Sequence, residues 1–150
     1  RVVIIYDTMW HSTEKMTQPI VRGIRAEGMD CRVIKLRATP ISHAIKEFWR
    51  ARGCLIGSPT LNNTLFPPVA GFMTSLQGLR PRNRIVSAFG SYGWGGGAVK
   101  AIFEYCKSMK LEMVEPGVQV KYVPSTQDED ACFEFGKEFA RQTREYHKKF

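Results

Sequence analysis

The sequence predicts a three-layer α/β fold, a five-stranded parallel sheet of order 2-1-3-4-5 with helices on both faces. Three observations predict it. Strand-like and helix-like segments alternate strictly along the chain. The strand-like runs are continuously apolar, as in strands covered on both faces. The length of 150 residues suits one domain with a core of ordinary size. Right-handed crossovers leave few topologies, and with five strands 2-1-3-4-5 leads among them.

The first strand is "RVVIIY" (1–6). Ser12 and Thr13 are expected to cap the helix that follows, in which Met16, Ile20, Val21 and Ile24 recur at helical spacing. Pro19 falls inside that helix and predicts a kink, and Gly28 predicts its end. The second strand is "CRVIKL" (31–36), and Pro40 opens a helix with Ile41, Ile45 and Phe48 on one face. "GCLIGS" (53–58) is the third strand. A loop over 59–68 leads through Pro67-Pro68 into a helix carrying Val69, Phe72, Met73 and Leu76. "RIVSAFGS" (84–91) is the fourth strand, followed by a glycine loop, "YGWGGG" (92–97), and the helix "AVKAIFEYCKSM". The fifth strand spans 112–123 with an interruption at Pro116-Gly117. Thr126 and Glu129 suggest a capping box for the last helix, whose Lys148 and Lys149 suit the negative end of its dipole.

The net charge is +8, with apolar content 43% and charged content 24%, which places the chain among globular proteins. No apolar run approaches the ~20 residues of a membrane span. The first apolar run is too short for a secretory signal, and the start at Arg1, directly on a strand, predicts a piece of a longer chain. Cys31, Cys54, Cys106 and Cys132 are widely spaced with no C-x-x-C pair, which predicts reduced thiols and a cytoplasmic location. His11, His43 and His147 show no metal spacing, so no metal site is expected. The basic residues gather only loosely, at "RPRNR" (80–84) and "HKKF" (147–150). A positive surface suits an acidic protein partner, nucleic acid, a membrane surface or simply solvent.

In a sheet of this order, ligands bind beyond the carboxyl ends of the strands, beside the first and third. The loops after strands 1, 3 and 4 meet there: "DTMWHST" (7–13), "SPTLNNT" (58–64) and "SYGWGGG" (91–97). The first offers the hydroxyls of Thr8, Ser12 and Thr13 and the amides of a helix start, with no Lys or Arg inside it. Such a loop suits a phosphate monoester held by neutral donors, or simply a capped helix. The second supplies Thr60, Asn62, Asn63 and Thr64, able to bond the edge of a planar heterocycle. The third joins Tyr92 and Trp94, either of which can stack on a flat ring, to glycines that allow close approach. A phosphate pocket, polar edge contacts and a stacking wall together fit flavin mononucleotide (FMN).

Other users of this architecture fit less well. A receiver domain needs a phosphate-accepting Asp at the end of strand 3, which here reads "LIGSPT". Gly93 to Ala98 matches G-x-G-x-x-A, but follows the fourth strand rather than the first. The turn at Ser91 lacks the first glycine of a nucleophile elbow. A nucleic-acid platform would interleave aromatic and basic residues on a strand face, and this chain does not.

"YDTMWHST" (6–13), "GSPTLNNT" (57–64) and "AFGSYGWGGGAVK" (88–100) together resemble the flavodoxin domain of flavodiiron proteins, the A-type flavoproteins of the rubredoxin:oxygen or nitric oxide oxidoreductase family. Ordinary flavodoxins carry a T-x-T-G-x-T-like first loop and tend to be acidic, unlike this chain. The resemblance covers essentially the whole chain. It implies a flavodoxin-like, FMN-binding domain over 1–150. It also implies an upstream metallo-β-lactamase-like domain with a di-iron centre that reduces O2 or NO. Electrons would come from rubredoxin or a similar donor, and a head-to-tail dimer would bring the flavin to the partner's iron. The domain itself would have no catalytic centre. Its expected FMN contacts are Thr8, Met9, Trp10, His11, Ser12 and Thr13; Pro59, Thr60, Leu61, Asn62, Asn63 and Thr64; and Ser91, Tyr92, Gly93, Trp94, Gly95 and Gly96. His11 suits a phosphate partner, a proton donor or a solvent-facing loop residue equally. The positive charge suits an acidic electron donor.

Overall fold

The computed structural model describes residues 1–62, 64–93 and 96–150. Among these residues it has five α-helices and one seven-stranded sheet. In chain order they are β1 (Val2–Tyr6), α1 (Ser12–Ala26), β2 (Cys31–Lys35), α2 (Ile41–Arg50), β3 (Gly53–Leu61) and β4 (Thr64–Leu65). There follow α3 (Pro67–Leu79), β5 (Ile85–Tyr92), α4 (Ala98–Ser108), β6 (Glu112–Met113), β7 (Val118–Lys121) and α5 (Thr126–His147).

The sheet runs β2-β1-β3-β5-β6, with β7 also parallel to β5. β6 and β7 are two pieces of the single fifth strand expected from sequence, pairing at Ile85↔Glu112 and Phe89↔Val118. The order 2-1-3-4-5 therefore holds. The remaining strand, β4, departs from the expected loop: it turns back on β3 as a hairpin, with Thr60 opposite Leu65. Asn62 takes the left-handed conformation at its turn, φ 51°, which Asn tolerates better than most residues.

Every residue of β1 is buried, which explains its unbroken apolar run. Val2 and Ile4 face α1 and α5, with Leu55, Ile85 and Phe89. Val3 and Ile5 face α2, α3 and α4, with Ile56, Val86 and Phe72. Fully burying one such side chain contributes on the order of 1.5–3 kcal/mol. α1 and α5 touch backbone to backbone: a Cβ on Gly23 would collide with the Phe133 carbonyl, and one on Gly136 with that of Ile20.

Helix α1 continues through the buried Pro19. It ends at Gly28, φ 74°, where the Gly28 amide donates to Arg25 O and that of Met29 to Ile24 O, a Schellman closure. Its start corrects the expected cap. His11 is the N-cap, and Ser12 and Thr13 already lie inside the helix. The capping box of α5 also shifts, to one residue earlier than expected. The chain is still extended at Ser125, whose Oγ accepts the Asp128 amide at 3.2 Å while the Asp128 carboxylate accepts the Ser125 amide at 2.9 Å. Thr126 is already helical, so it and Glu129 do not form the box.

Candidate functional site

The strands end at different heights, and the site occupies the step. β1 pairs with β3 as far as Tyr6↔Gly57, whereas β3 and β5 stay paired to Pro59↔Ser91. The loop after β1 therefore leaves the sheet earlier than its neighbours and crosses in front of their ends.

That loop is held from several sides. The Thr8 amide donates to Asp7 Oδ1 at 2.7 Å, and Thr8 Oγ1 accepts the Glu14 amide at 3.3 Å. Arg37 donates to Thr8 O at 2.7 Å and lies 3.6 Å from the fully buried Asp7 carboxylate. Glu14 is a hub. Its carboxylate accepts from Tyr6 Oη (2.9 Å) and Lys35 Nζ (3.1 Å), and lies 2.9 Å from His11 Nδ1. His11 first, then Lys35 and Tyr6, hold the Glu14 carboxyl down at about 2. Burial, reinforced by Glu14, pushes the Tyr6 phenol well above its ordinary value. Trp10 and His11 both have left-handed backbones, φ 62° and 64°. Two such non-glycine residues in succession store strain, which the surrounding bonds must hold.

A cleft of about 440 Å³ opens on the step. It is lined by Met9, Trp10 and Ser12 from the first loop, Pro59, Thr60, Leu61 and Asn62 from the second, and Ser91, Tyr92 and Gly93 from the third. These ten expected residues come together. Thr8, His11, Thr13, Thr64 and Gly96 do not line it. Thr13 is fully buried, its Oγ1 2.7 Å from Ser91 Oγ, so that it ties α1 to the end of β5. The His11 ring is turned to Glu14. Asn63, Trp94 and Gly95 lie outside the described residues.

Sequence reasoning missed Tyr122, which also lines the cleft. It follows β7, is 54% exposed, and its amide donates to Tyr92 O at 2.7 Å. Arg37 and Lys35, which brace the first loop, were missed as well. The signal for Lys35 is the β1–β2 register, which sets it beside Tyr6.

The lining fits FMN, which joins a flat ring to a phosphate monoester. Trp10, Leu61, Tyr92 and Tyr122 offer apolar walls, Trp10 being 85% exposed. Thr60 Oγ1 accepts the Ala98 amide at 3.2 Å, which leaves its proton to donate. Among the described residues, the Ser12 and Thr13 amides at the start of α1 donate to no protein acceptor. They sit at the positive end of the helix dipole, a place suited to an anion. No charged side chain is among the described lining residues.

Comparison with known proteins agrees. The chain matches the flavodoxin family over residues 4–136. It is 45% identical to a nitric oxide reductase of Moorella thermoacetica over 141 residues, 93% of this chain and 35% of that protein. It superposes on the rubredoxin oxygen:oxidoreductase of the anaerobe Desulfovibrio gigas with a TM-score of 0.93 and 38% identity, over 97% of this chain and 36% of that one. An archaeal flavodoxin gives 0.86 and 26%, over 95% of this chain and 98% of that one. The chain thus spans about a third of the length of the first two proteins. The chain belongs to the flavodoxin family, its relatives include flavodiiron proteins, and it is an electron-transfer domain whose cofactor is FMN.

Proposed function

We propose that this chain is the electron-relay domain of a larger oxidoreductase. It would accept electrons from rubredoxin or a similar donor and pass them to a di-iron centre that reduces O2 or NO. The di-iron centre would lie in an upstream metallo-β-lactamase-like domain, reached across a head-to-tail dimer. Support comes from the names of the relatives and from the third of their length that the chain spans.

The observation that carries the reading is the cleft itself, built from three polar loops at the switch between β1 and β3. The Ser12 hydroxyl and amide, at the start of α1, would hold the phosphate. Pro59 to Asn62 would hold the ribityl chain and the ring edge, and Trp10, Tyr92 and Tyr122 would hold the ring. Bound there, FMN supplies the redox chemistry, and the protein supplies position and exclusion of water. No carboxylate, imidazole or amine lines the cleft among the described residues, which suits transfer of electrons without a protein acid or base. A cytoplasmic location is part of the proposal. The four cysteines are free and buried, and burial raises the thiols of Cys31, Cys106 and Cys132 to about 12.

Anaerobic stopped-flow mixing with reduced rubredoxin tests this. Bleaching of the flavin bands within the mixing experiment is expected. Bands that dithionite bleaches but rubredoxin leaves unchanged would overturn the donor assignment. A second reading, a stand-alone carrier, is favoured by the near-complete coverage of the archaeal flavodoxin. The native chain decides between them: a mass near 17.1 kDa on an immunoblot selects the carrier.

A further inference from the structure

At the opposite end of the sheet, segments entering or leaving the strands form a second cleft, of about 260 Å³. Arg52 precedes β3, Arg84 precedes β5, Trp49 and Arg50 close α2, and Arg144 and His147 lie in the last turn of α5. No acidic side chain is among its described lining residues.

The arginines here are unequally paired. Arg50 shares the buried Glu47 carboxylate with Arg1 and Arg32, three cations on one acid. Among the described residues, Arg52, Arg84 and Arg144 meet no carboxylate within ion-pair distance. They are held by neutral groups instead. Arg84 donates to Trp49 O at 2.6 Å and to Arg82 O at 2.8 Å, and its Nε–H is buried with no acceptor. Arg52 donates to Asn83 O at 2.7 Å and to His147 Nδ1 at 3.2 Å, and its guanidinium stacks on the Phe150 ring at 4.3 Å. That bond makes His147 Nδ1 an acceptor, so a neutral ring presents Nε2–H as a donor. Arg144 donates to Glu27 O. Burial, then the charge of Arg52, lowers the Arg84 guanidinium from its ordinary value.

Repelling cations fixed in place by neutral partners around an open cleft describe a preorganised receptor for an oxyanion. We propose that this cleft is a second anion site, independent of FMN, which takes a phosphate or pyrophosphate group. The group belongs either to a free inorganic anion or to a nucleotide whose base rests on the partly exposed Trp49. The cleft is too small for a macromolecule to enter, and guanidinium forks match phosphate oxygens in pairs.

The test is calorimetric titration of the FMN-saturated chain with pyrophosphate and, separately, with ADP, at constant ionic strength. Saturating FMN keeps the first cleft closed to phosphate. One saturable site is expected for pyrophosphate, weakened at least tenfold in both Arg52→Gln and Arg144→Gln, with flavin content unchanged. Arg144 is exposed, so its variant keeps the test valid should Arg52→Gln fold poorly. Tighter binding of ADP, with the advantage lost in Trp49→Leu, assigns a nucleotide. Equal or weaker ADP binding assigns the free anion. Absence of a saturable site, or unchanged affinity in the Arg144 variant, overturns the proposal. So does retention of duplex DNA, abolished by salt, without saturable pyrophosphate binding.

Discussion

At the carboxyl end of the sheet, the cleft between the first and third strands is walled by Met9, Trp10, Thr60, Tyr92 and Tyr122, with no charged side chain among its described lining. At the amino end, the other cleft is lined by Arg1, Arg50, Arg52, Arg84, Arg144 and His147. One end offers hydroxyls, helix amides and aromatic rings, the other guanidinium groups. Both can hold a phosphate, by different physics. Helix amides and hydroxyls act at short range and discriminate by shape. Arginines act through net charge, which salt screens over ~8–10 Å. The comparison also bears on the electron donor. The arginine-rich cleft lies away from the flavin end, so this concentration of charge gives no support to steering an acidic donor there.

The largest effect is expected at the flavin end, where β3 and β5 run together past β1. A Cβ on Gly90 would collide with the Ser58 carbonyl of the neighbouring strand. Gly90→Ala should lower stability by about 1–3 kcal/mol and lose flavin, read by urea unfolding and absorbance. An unchanged midpoint would break the claim that close strand pairing builds the step.

Tyr122→Ala removes an exposed wall and should weaken FMN binding about tenfold, the ~1–3 kcal/mol scale of aromatic stacking, with little change in stability. Fluorescence titration of flavin-stripped protein measures it. Wild-type affinity would remove Tyr122 from the site.

Ser12 and Thr13 separate binding from folding. Ser12→Ala should weaken FMN binding several-fold, roughly one hydrogen bond to a charged group, and leave the unfolding midpoint in place. Thr13→Val should do the reverse, since it strands the buried Ser91 hydroxyl at a cost of about 1–3 kcal/mol. If both variants weakened binding alike, Thr13 would belong to the phosphate pocket after all.

The Glu14 hub predicts a pH signature. Its carboxyl lies lower in the folded state than its ordinary value of 4.5, at about 2. The stabilisation is therefore fully present above the unfolded value and is lost as pH falls toward 2. The stability gap between wild type and Glu14→Gln should shrink between pH 4.5 and 2. A gap constant over that window would contradict the hub. Smallest of all, Arg144→Gln should leave FMN affinity unchanged. A loss would mean that the two ends are coupled.

The fold was legible because the apolar runs are long and each crossover helix is periodic, so strand order followed from few choices. The cleft was legible because three unusual loops follow strands whose carboxyl ends must converge. What stayed hidden depends on register and depth. Thr13 reads as a cap hydroxyl, yet its place in the first turn turns it inward to Ser91. Tyr122 follows a strand broken at 114–117, so the sequence did not mark it as a neighbour of Tyr92. The β4 hairpin depended on Asn62 entering the left-handed region. The arginine cleft is spread over positions 1, 50, 52, 84 and 144 and forms no charge run. The alignment of parallel strands, with the ends of α2 and α5 packed beside them, brings its members together.

The most direct test of the central claim is titration of the flavin-stripped protein with FMN and with riboflavin at low and high salt. If helix amides and Ser12 hold the phosphate, FMN should bind far more tightly than riboflavin, and moderate salt should change the difference little. Equal affinity for the two flavins would contradict the phosphate assignment. A preference for FMN that collapses with salt would mean that cations, not neutral donors, hold it.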